Sequence, residues 1–501
     1  MSTNKSQRPK TARDGRFYKG NLVSLRLRKC LTPCLMAAAL AGLLVPSVDA
    51  QAQAKAKPGA TRKLAPAEPA SERPANNSQS RCGEEDALPS SSGRAASMFD
   101  TAATDPRTQL QELVQTALRR SQATGSANLL AQAARDDWEE ARAARIPQVD
   151  IGGSAAYIGN KPEAYALQHG LQGRLTLNVA APLYSSGRIE QLAAWRSQLA
   201  ESARQGLINT EQQIALQVVS LAMDRGRYQL QAQVFGQYVR KMACLAEALD
   251  IVVRADKGRA SELVQAQKTL QQTELALTQT KSTLKQVEIR LRRFVGDELP
   301  PSASYSTVLT KVPELEQMQA DVLMAADVVQ LAAQARAQLS YADSVAAAQK
   351  PQINLLLQSS ATAGQSKGGE WAAGVSFNVP IFNAGADYGI GAARKRAESA
   401  RLMREDTIEA RRYRVADMHE AATSSFERAR NIVDILRNSD RLRASTLQQW
   451  QQLGRRSLFD VMGTEADYFS QRIAQVNALY DGQQAVALLW SMGKGVMEPL
   501  R

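Results

Sequence analysis

The residues able to do chemistry are few and scattered. Two histidines, His169 and His419, stand 250 positions apart, the first in a stretch that reads as a loop and the second inside a long helical pattern. No His-Glu-x-x-His pair, Gly-x-Ser-x-Gly elbow or glycine-rich phosphate loop accompanies them, so the sequence assembles neither a metal-activated water nor a positioned nucleophile. Adjacent carboxylates such as Glu139 and Glu140 suit a solvated helix face. Of the four cysteines, Cys30 and Cys34 lie near the start, Cys82 in a polar stretch and Cys244 in a helical pattern, which is neither a metal spacing nor a disulfide framework. No catalytic, cofactor or metal residue is expected. What remains is a charged run, Gly454-Arg455-Arg456-Ser457-Leu458-Phe459-Asp460-Val461, and its counterpart Gly258-Arg259-Ala260-Ser261. An aspartate beside an arginine at a helix start can present negative charge to a passing cation, or simply complement the helix N-terminus.

These turns belong to a repeat of about 200 residues. Leu177-Asn178-Val179-Ala180-Ala181-Pro182-Leu183-Tyr184-Ser185-Ser186-Gly187 matches Phe377-Asn378-Val379-Pro380-Ile381-Phe382-Asn383-Ala384-Gly385, with two extra residues before the proline in the first copy. Pro147-Gln148-Val149-Asp150-Ile151 likewise parallels Pro351-Gln352-Ile353-Asn354-Leu355. From Pro182 to Gly258 is 76 positions and from Pro380 to Gly454 is 74. The expected organisation is therefore repeat 1 over 106–300 and repeat 2 over 301–501.

Each repeat reads as a helix (about Gln109 to Ala144, and Glu314 to Gln349), two strands, a very long helix, a glycine-marked break and a last helix. The strands, expected near 147–158, 173–184, 351–363 and 371–383, rest on alternation. Trp371, Ala373, Val375, Phe377 and Val379 share one face, while Gly374, Ser376 and Asn378 share the other. One apolar and one polar face, in runs of about ten residues, is the pattern of a membrane barrel wall. Four strands cannot close a barrel, whose smallest examples have about eight, so the chain must associate. No proline interrupts Ile189 to Val253, a rod of roughly 100 Å at 1.5 Å per residue. Beyond Gly258, Leu263, Leu270, Leu277, Leu284 and Leu291 recur every seven residues, with Ala266, Thr273, Thr280 and Val287 between them. In the second copy Phe459, Ala466, Ile473, Tyr480 and Ala487 form one track, and Met462, Phe469, Val476, Gln483 and Trp490 the other. Both are coiled-coil seams whose role is to build a wall.

Composition agrees. Aromatics are 5% and hydrophobic residues 44% of 501, which suits long packed helices. The net charge of +13 is concentrated in the first fifty residues, which contribute +7, and there is no basic stripe interleaved with aromatics, so a nucleic-acid partner is not expected. Lys5 to Lys29, the apolar run Leu31 to Val45 and Val48-Asp49-Ala50 read as a signal peptide over 1–50. The Pro-, Ala- and Ser-rich stretch 51–105 reads as a disordered linker.

The two-fold repeat, the Pro-Leu-Tyr-Ser-Ser-Gly and Pro-Ile-Phe-Asn-Ala-Gly corners, and the Gly454 to Val461 run together resemble the TolC family of outer-membrane efflux proteins, from about residue 106 to Gly493. The resemblance implies a mainly α fold with a small β part, the TolC-like α/β barrel. It implies a homotrimer with a twelve-stranded barrel in outer-membrane lipid and a helical tunnel in the periplasm. It also implies a periplasmic adaptor (membrane fusion) protein and an inner-membrane transporter docking at the tunnel's lower end, around Gly258, Arg259, Gly454 and Arg455. Carried over residue by residue, Asp460 matches a pore-ringing aspartate and Arg456 the arginine of the closing network. Other network positions depart from the family: Gly463 and Val264 stand where aspartates would be, and Gln451 where a tyrosine would be. The form of the Gly454 to Val461 run resembles members serving type I protein secretion, with drug or metal efflux as the alternative on the same fold. A periplasmic coiled-coil scaffold is the alternative of another class, and it leaves the strand pairs unexplained.

Overall fold

The computed structural model describes residues 105–160, 168–300, 305–364, 367–453 and 456–501. The signal peptide and nearly all of the linker expected over 1–105 lie outside the described residues. In chain order the elements are α1 (Pro106–Arg120), α2 (Gln122–Ala143), β1 (Gln148–Asn160), β2 (Gln168–Tyr184), α3 (Arg188–Ala255), α4 (Ala260–Val295), α5 (Leu315–Asp321), α6 (Ala326–Ala347), β3 (Gln352–Gly364), β4 (Gly368–Asn378), α7 (Ala386–Leu453) and α8 (Leu458–Ser491).

The single helix expected before each strand pair is broken in both copies. Between α1 and α2 the backbone of Ser121 is extended, and its hydroxyl accepts from the Thr124 N–H at 3.2 Å, so a helix is capped where apolar periodicity alone runs on. Between α5 and α6 a 3₁₀ turn, Val322–Met324, ends at an extended Ala325. The long helices are unbroken: α3 and α7 have 68 residues each, about 100 Å at 1.5 Å per residue.

The strands form one antiparallel sheet in the order β1-β2-β3-β4. Its register aligns like with like across the strands. Val149, Val179, Leu357 and Ala373 fall in one row, and Ile151, Leu177, Ser359 and Trp371 in the next row on that face. The opposite face carries Asp150, Asn178, Gln358 and Ala372, then Gly152, Thr176, Ser360 and Glu370, then Ser154, Arg174 and Thr362. β4 stops at Asn378, short of 383, before Pro380, which has no N–H to give a ladder. In the first copy β2 carries Pro182 through a register irregularity and continues to Tyr184. His169, read as part of a loop, is in β2, with its ring 6.0 Å from that of Tyr157.

Above each sheet corner the helices keep the strand order: α2 packs on α3, α3 on α6 and α6 on α7. α4 and α8 pack back along α3 and α7. The main core gathers Leu110, Val114, Val218, Met223, Tyr305 and Leu489, from α1, α3, the 305–328 connection and α8. Burial pushes the Tyr305 hydroxyl up to about 12, so it stays protonated and donates to Gln109 Oε1 at 2.9 Å. A second cluster, with Met242, Leu249, Ala266, Leu458 and Val461, closes the far ends of α3, α4 and α8. Among the described residues no helix is long and apolar enough to cross a membrane.

Candidate functional site: sheet edges and helix turns

The sheet has two unusual properties for a folded chain. Its apolar face is uncovered: Ile151 is 72% exposed, Trp371 79% and Phe377 68%. Among the described residues its edge strands β1 and β4 each have one side without a partner strand, a row of N–H and C=O groups that must pair elsewhere before such a sheet can enter lipid. The strands are 11 to 17 residues long, against about 9–11 needed to cross a bilayer at a tilt. The polar face presents Asp150, Arg174 and Glu370 among amides and hydroxyls, a surface suited to water.

At the other end of the long helices are the turns. In the first, Lys257–Arg259 is one turn of 3₁₀ helix, and Asp256 Oδ1 accepts from the Gly258 N–H at 2.9 Å. Arg259 does not project freely, because its Nη2 lies 2.8 Å from Glu262 Oε2. In the second turn, Gly454 and Arg455 lie outside the described residues. α8 starts on a capping box: Ser457 Oγ accepts from the Asp460 N–H and Asp460 Oδ2 accepts from the Ser457 N–H, both at 3.3 Å. Such reciprocal caps satisfy two backbone donors that a helix start leaves open. Arg456 and Asp460 are brought together, though loosely, with Nη1 and Oδ2 3.9 Å apart, while Arg456 Nε donates to Gln449 Oε1 at 3.2 Å. Asp460 thus spends one oxygen on the backbone and keeps an exposed carboxylate.

The seam of α8 departs from the expected track at its start. Phe459 is exposed, and the buried line begins instead at Leu458, Val461, Met462 and Glu465. A seven-residue track drifts about 20° per heptad around a straight helix, which leaves Phe459 at the edge of the buried side. Glu465 is the residue that the sequence reading missed. It is 0% exposed, with Arg443 Nη1 of α7 donating to its Oε2 at 3.3 Å and Lys241 Nζ of α3 3.7 Å from its Oε1. Arg443 also lies 4.2 Å over the Tyr468 ring and donates to Asp440 at 3.0 Å. Burial, with Glu465 and Asp467 nearby, pushes the neighbouring Tyr238 hydroxyl up, and its bond with Thr273 opposes that shift. A signal was available: Val461, Glu465 and Tyr468 are spaced by four and three, which puts a carboxylate in an apolar stripe.

Cys244 of α3 is disulfide-bonded, a single link that the spacing of the cysteines along the chain does not indicate. The other three cysteines lie outside the described residues. Among the described residues no group of three or more His, Cys, Asp or Glu could hold a metal ion.

No protein-family model and no curated protein matches the chain. Solved structures do. One is CusC, described in terms of transmembrane channel formation, at 18% identity and a TM-score of 0.70, covering 77% of this chain and 92% of that one. The outer membrane protein VceC of Vibrio cholerae matches at 16% identity and a TM-score of 0.68, covering 77% and 97%. The MtrE outer membrane channel of Neisseria gonorrhoeae, in its open state, matches at 15% identity and a TM-score of 0.69, covering 78% and 90%. Mainly helical, with one small antiparallel sheet, the chain has the fold of the TolC-like outer-membrane channels.

Proposed function

We propose that this chain is the channel subunit of an export system, forming a conduit through the outer membrane and the periplasm and catalysing no reaction. The observation that carries the proposal is the sheet. It has an uncovered apolar face, a polar face and two open edges, and it sits at one end of helices about 100 Å long. Three copies supply twelve strands, pair every open edge and turn the apolar face to lipid and the polar face to water. The far turns, with Gly258 and Arg259 in one and Gly454 and Arg455 in the other, meet a periplasmic adaptor that an inner-membrane transporter serves. Site-directed crosslinking from Arg259 or Arg455 that found no periplasmic partner would remove that assignment.

The test of the channel itself is direct. The full-length protein is expected in the outer-membrane fraction as a heat-modifiable, detergent-resistant trimer that conducts ions in planar bilayers. A monomer in the soluble fraction would sink the proposal in favour of a periplasmic scaffold. At the lower end, Asp460, repeated by symmetry, favours cations and Arg456 helps hold the constriction shut. Asp460→Asn is expected to change both conductance and cation selectivity, and unchanged recordings would exclude the role. The cargo is an unfolded protein exported by a type I route, supported by the form of the Gly454 to Val461 run. A deletion strain should therefore lose a secreted protein; raised sensitivity to drugs or metals with an intact secretome would assign the efflux alternative.

A further inference from the structure

Cys244 of α3 is disulfide-bonded, and the three cysteines that could be its partner, Cys30, Cys34 and Cys82, lie outside the described residues. Cys30 and Cys34 precede the expected cleavage site at Ala50, so an exported chain keeps only Cys82 beside Cys244. Of the two units into which the chain divides, Met1–Asn76 and Asn77–Arg501, the second holds both Cys82 and Cys244.

The distance suits the pair. Ala222 of α3 shares the main core with Leu110 and Val114 of α1. Cys244 stands 22 residues further along the same unbroken helix, roughly 33 Å away and turned by about 40° at 3.6 residues per turn. It is therefore half-buried on much the same side of α3 as the residues that meet α1. Cys82 precedes Pro106, the first residue of α1, by 24 positions. Fully extended, such a segment spans roughly 80 Å, and as an unstretched coil about 27 Å, so the gap is bridged without tension. Charge agrees with the direction of travel. From Cys244 toward α1 the next turn of α3 presents Arg240, which is exposed and four residues back. From Cys82 toward α1 the chain reads Gly83-Glu84-Glu85-Asp86. A bond between the two cysteines sets this acidic run over that arginine, while Glu247, the exposed acid on the other side of Cys244, lies off the path.

We propose that in the exported chain Cys82 and Cys244 form a disulfide that straps the N-terminal segment along α3, with Glu84, Glu85 and Asp86 against Arg240. Two S–H bonds break and one S–S bond forms. The two electrons and two protons pass by exchange to the disulfide of a periplasmic thiol–disulfide oxidoreductase. The strap joins the start of the mature chain to the wall between the main core and the far turn. It rests on the proposed export into an oxidising compartment and not on pore formation.

The test uses the full-length gene product purified from cells, with free thiols alkylated before digestion without reductant. Trypsin should release residues 82–94 joined to 242–254, and the joined species should vanish on reduction and in Cys82→Ser or Cys244→Ser. Alkylated Cys82 and Cys244, 82–94 joined to a second 82–94, or 242–254 joined to a peptide bearing Cys30 or Cys34 would each overturn the pairing. A soluble monomer carrying the joined peptides would sink the channel reading and leave the strap standing, and a membrane trimer with both thiols alkylated would do the reverse. In a second arm, the ratio of oxidised to reduced pair in a dithiothreitol redox buffer should fall several-fold with Arg240→Glu. Adding Glu84→Lys and Glu85→Lys should restore most of it, and an unchanged ratio in Arg240→Glu would overturn the path over Arg240.

Discussion

The two helical hairpins, α3–α4 and α7–α8, have nearly equal lengths and different interiors. α4 meets its neighbours through Ala266, Thr273, Thr280 and Val287, one residue per heptad, all buried, with Leu263, Leu270, Leu277 and Leu284 of the expected track half-buried beside them and Leu291 fully buried. α8 meets its neighbours through Glu465, Tyr468, Phe469, Gly482 and Gln483, and its carboxylate is held by cations from two other helices. Small side chains let helices approach closely and make few demands on register. A buried charge makes one demand, because a slip of a single turn leaves it unpaired in a place where that is costly. The first hairpin is held by shape and the second by a fixed set of partners.

Breaking the second interior should cost far more than altering the first. Glu465→Leu removes the buried carboxylate that Lys241 and Arg443 share, an expected loss of about 3–5 kcal/mol. Thr280→Val should change stability by less than about 1 kcal/mol, since the Thr280 hydroxyl only bonds back to Ala276 in its own helix. Helical melting followed by circular dichroism in detergent compares the two, and similar shifts would erase the distinction. Next in size is Gly482→Ala, whose new methyl would stand 2.9 Å from the Phe426 ring, for a cost of about 1–3 kcal/mol. Gly463→Ala in the same helix meets open space and should stabilise by up to about 1 kcal/mol.

The smallest effect separates the turns. Ser457→Ala removes the hydroxyl half of the α8 capping box, for about 1 kcal/mol. Arg259→Ala should cost no more than about 0.5 kcal/mol, because α4 has no side-chain cap at that position and only the pair with Glu262 is lost. Equal costs at the two turns would show that the cap contributes nothing specific.

The sequence made the repeat, the strand alternation and the long helices legible, since each repeats a period over many residues: Trp371 to Val379 alternates by two, and Leu263 to Leu291 recurs by seven. Features set by one residue were harder. Ser121 breaks a helix whose apolar spacing continues across it, and Phe459 is exposed at the end of a track it matches by count. Glu465 was hidden for a different reason: a buried carboxylate depends on Lys241 and Arg443, which lie 224 and 22 positions away. At the candidate constriction Arg456 stands 3.9 Å from Asp460 although it lies outside α8, ahead of the extended cap residue Ser457. That Asp460 also closes the capping box depends on the backbone at Ser457, which spacing does not specify.

The strands of the sheet are unequal, and the difference has a consequence at the mouth. β2 has 17 residues and β4 has 11. Past the last β2–β3 pair, Gln172 with Gly364, β2 runs on against β1 alone through four more pairs, ending at Asn160 with Gln168. At about 3.3 Å per residue the first hairpin stands roughly 13 Å taller than the second. In the proposed ring that step would recur with every copy, so that taller hairpins bearing Tyr157 and His169 would alternate with shorter ones around the rim. A large body settling on the opening from outside would rest on the taller hairpins, and water and ions would still pass between them.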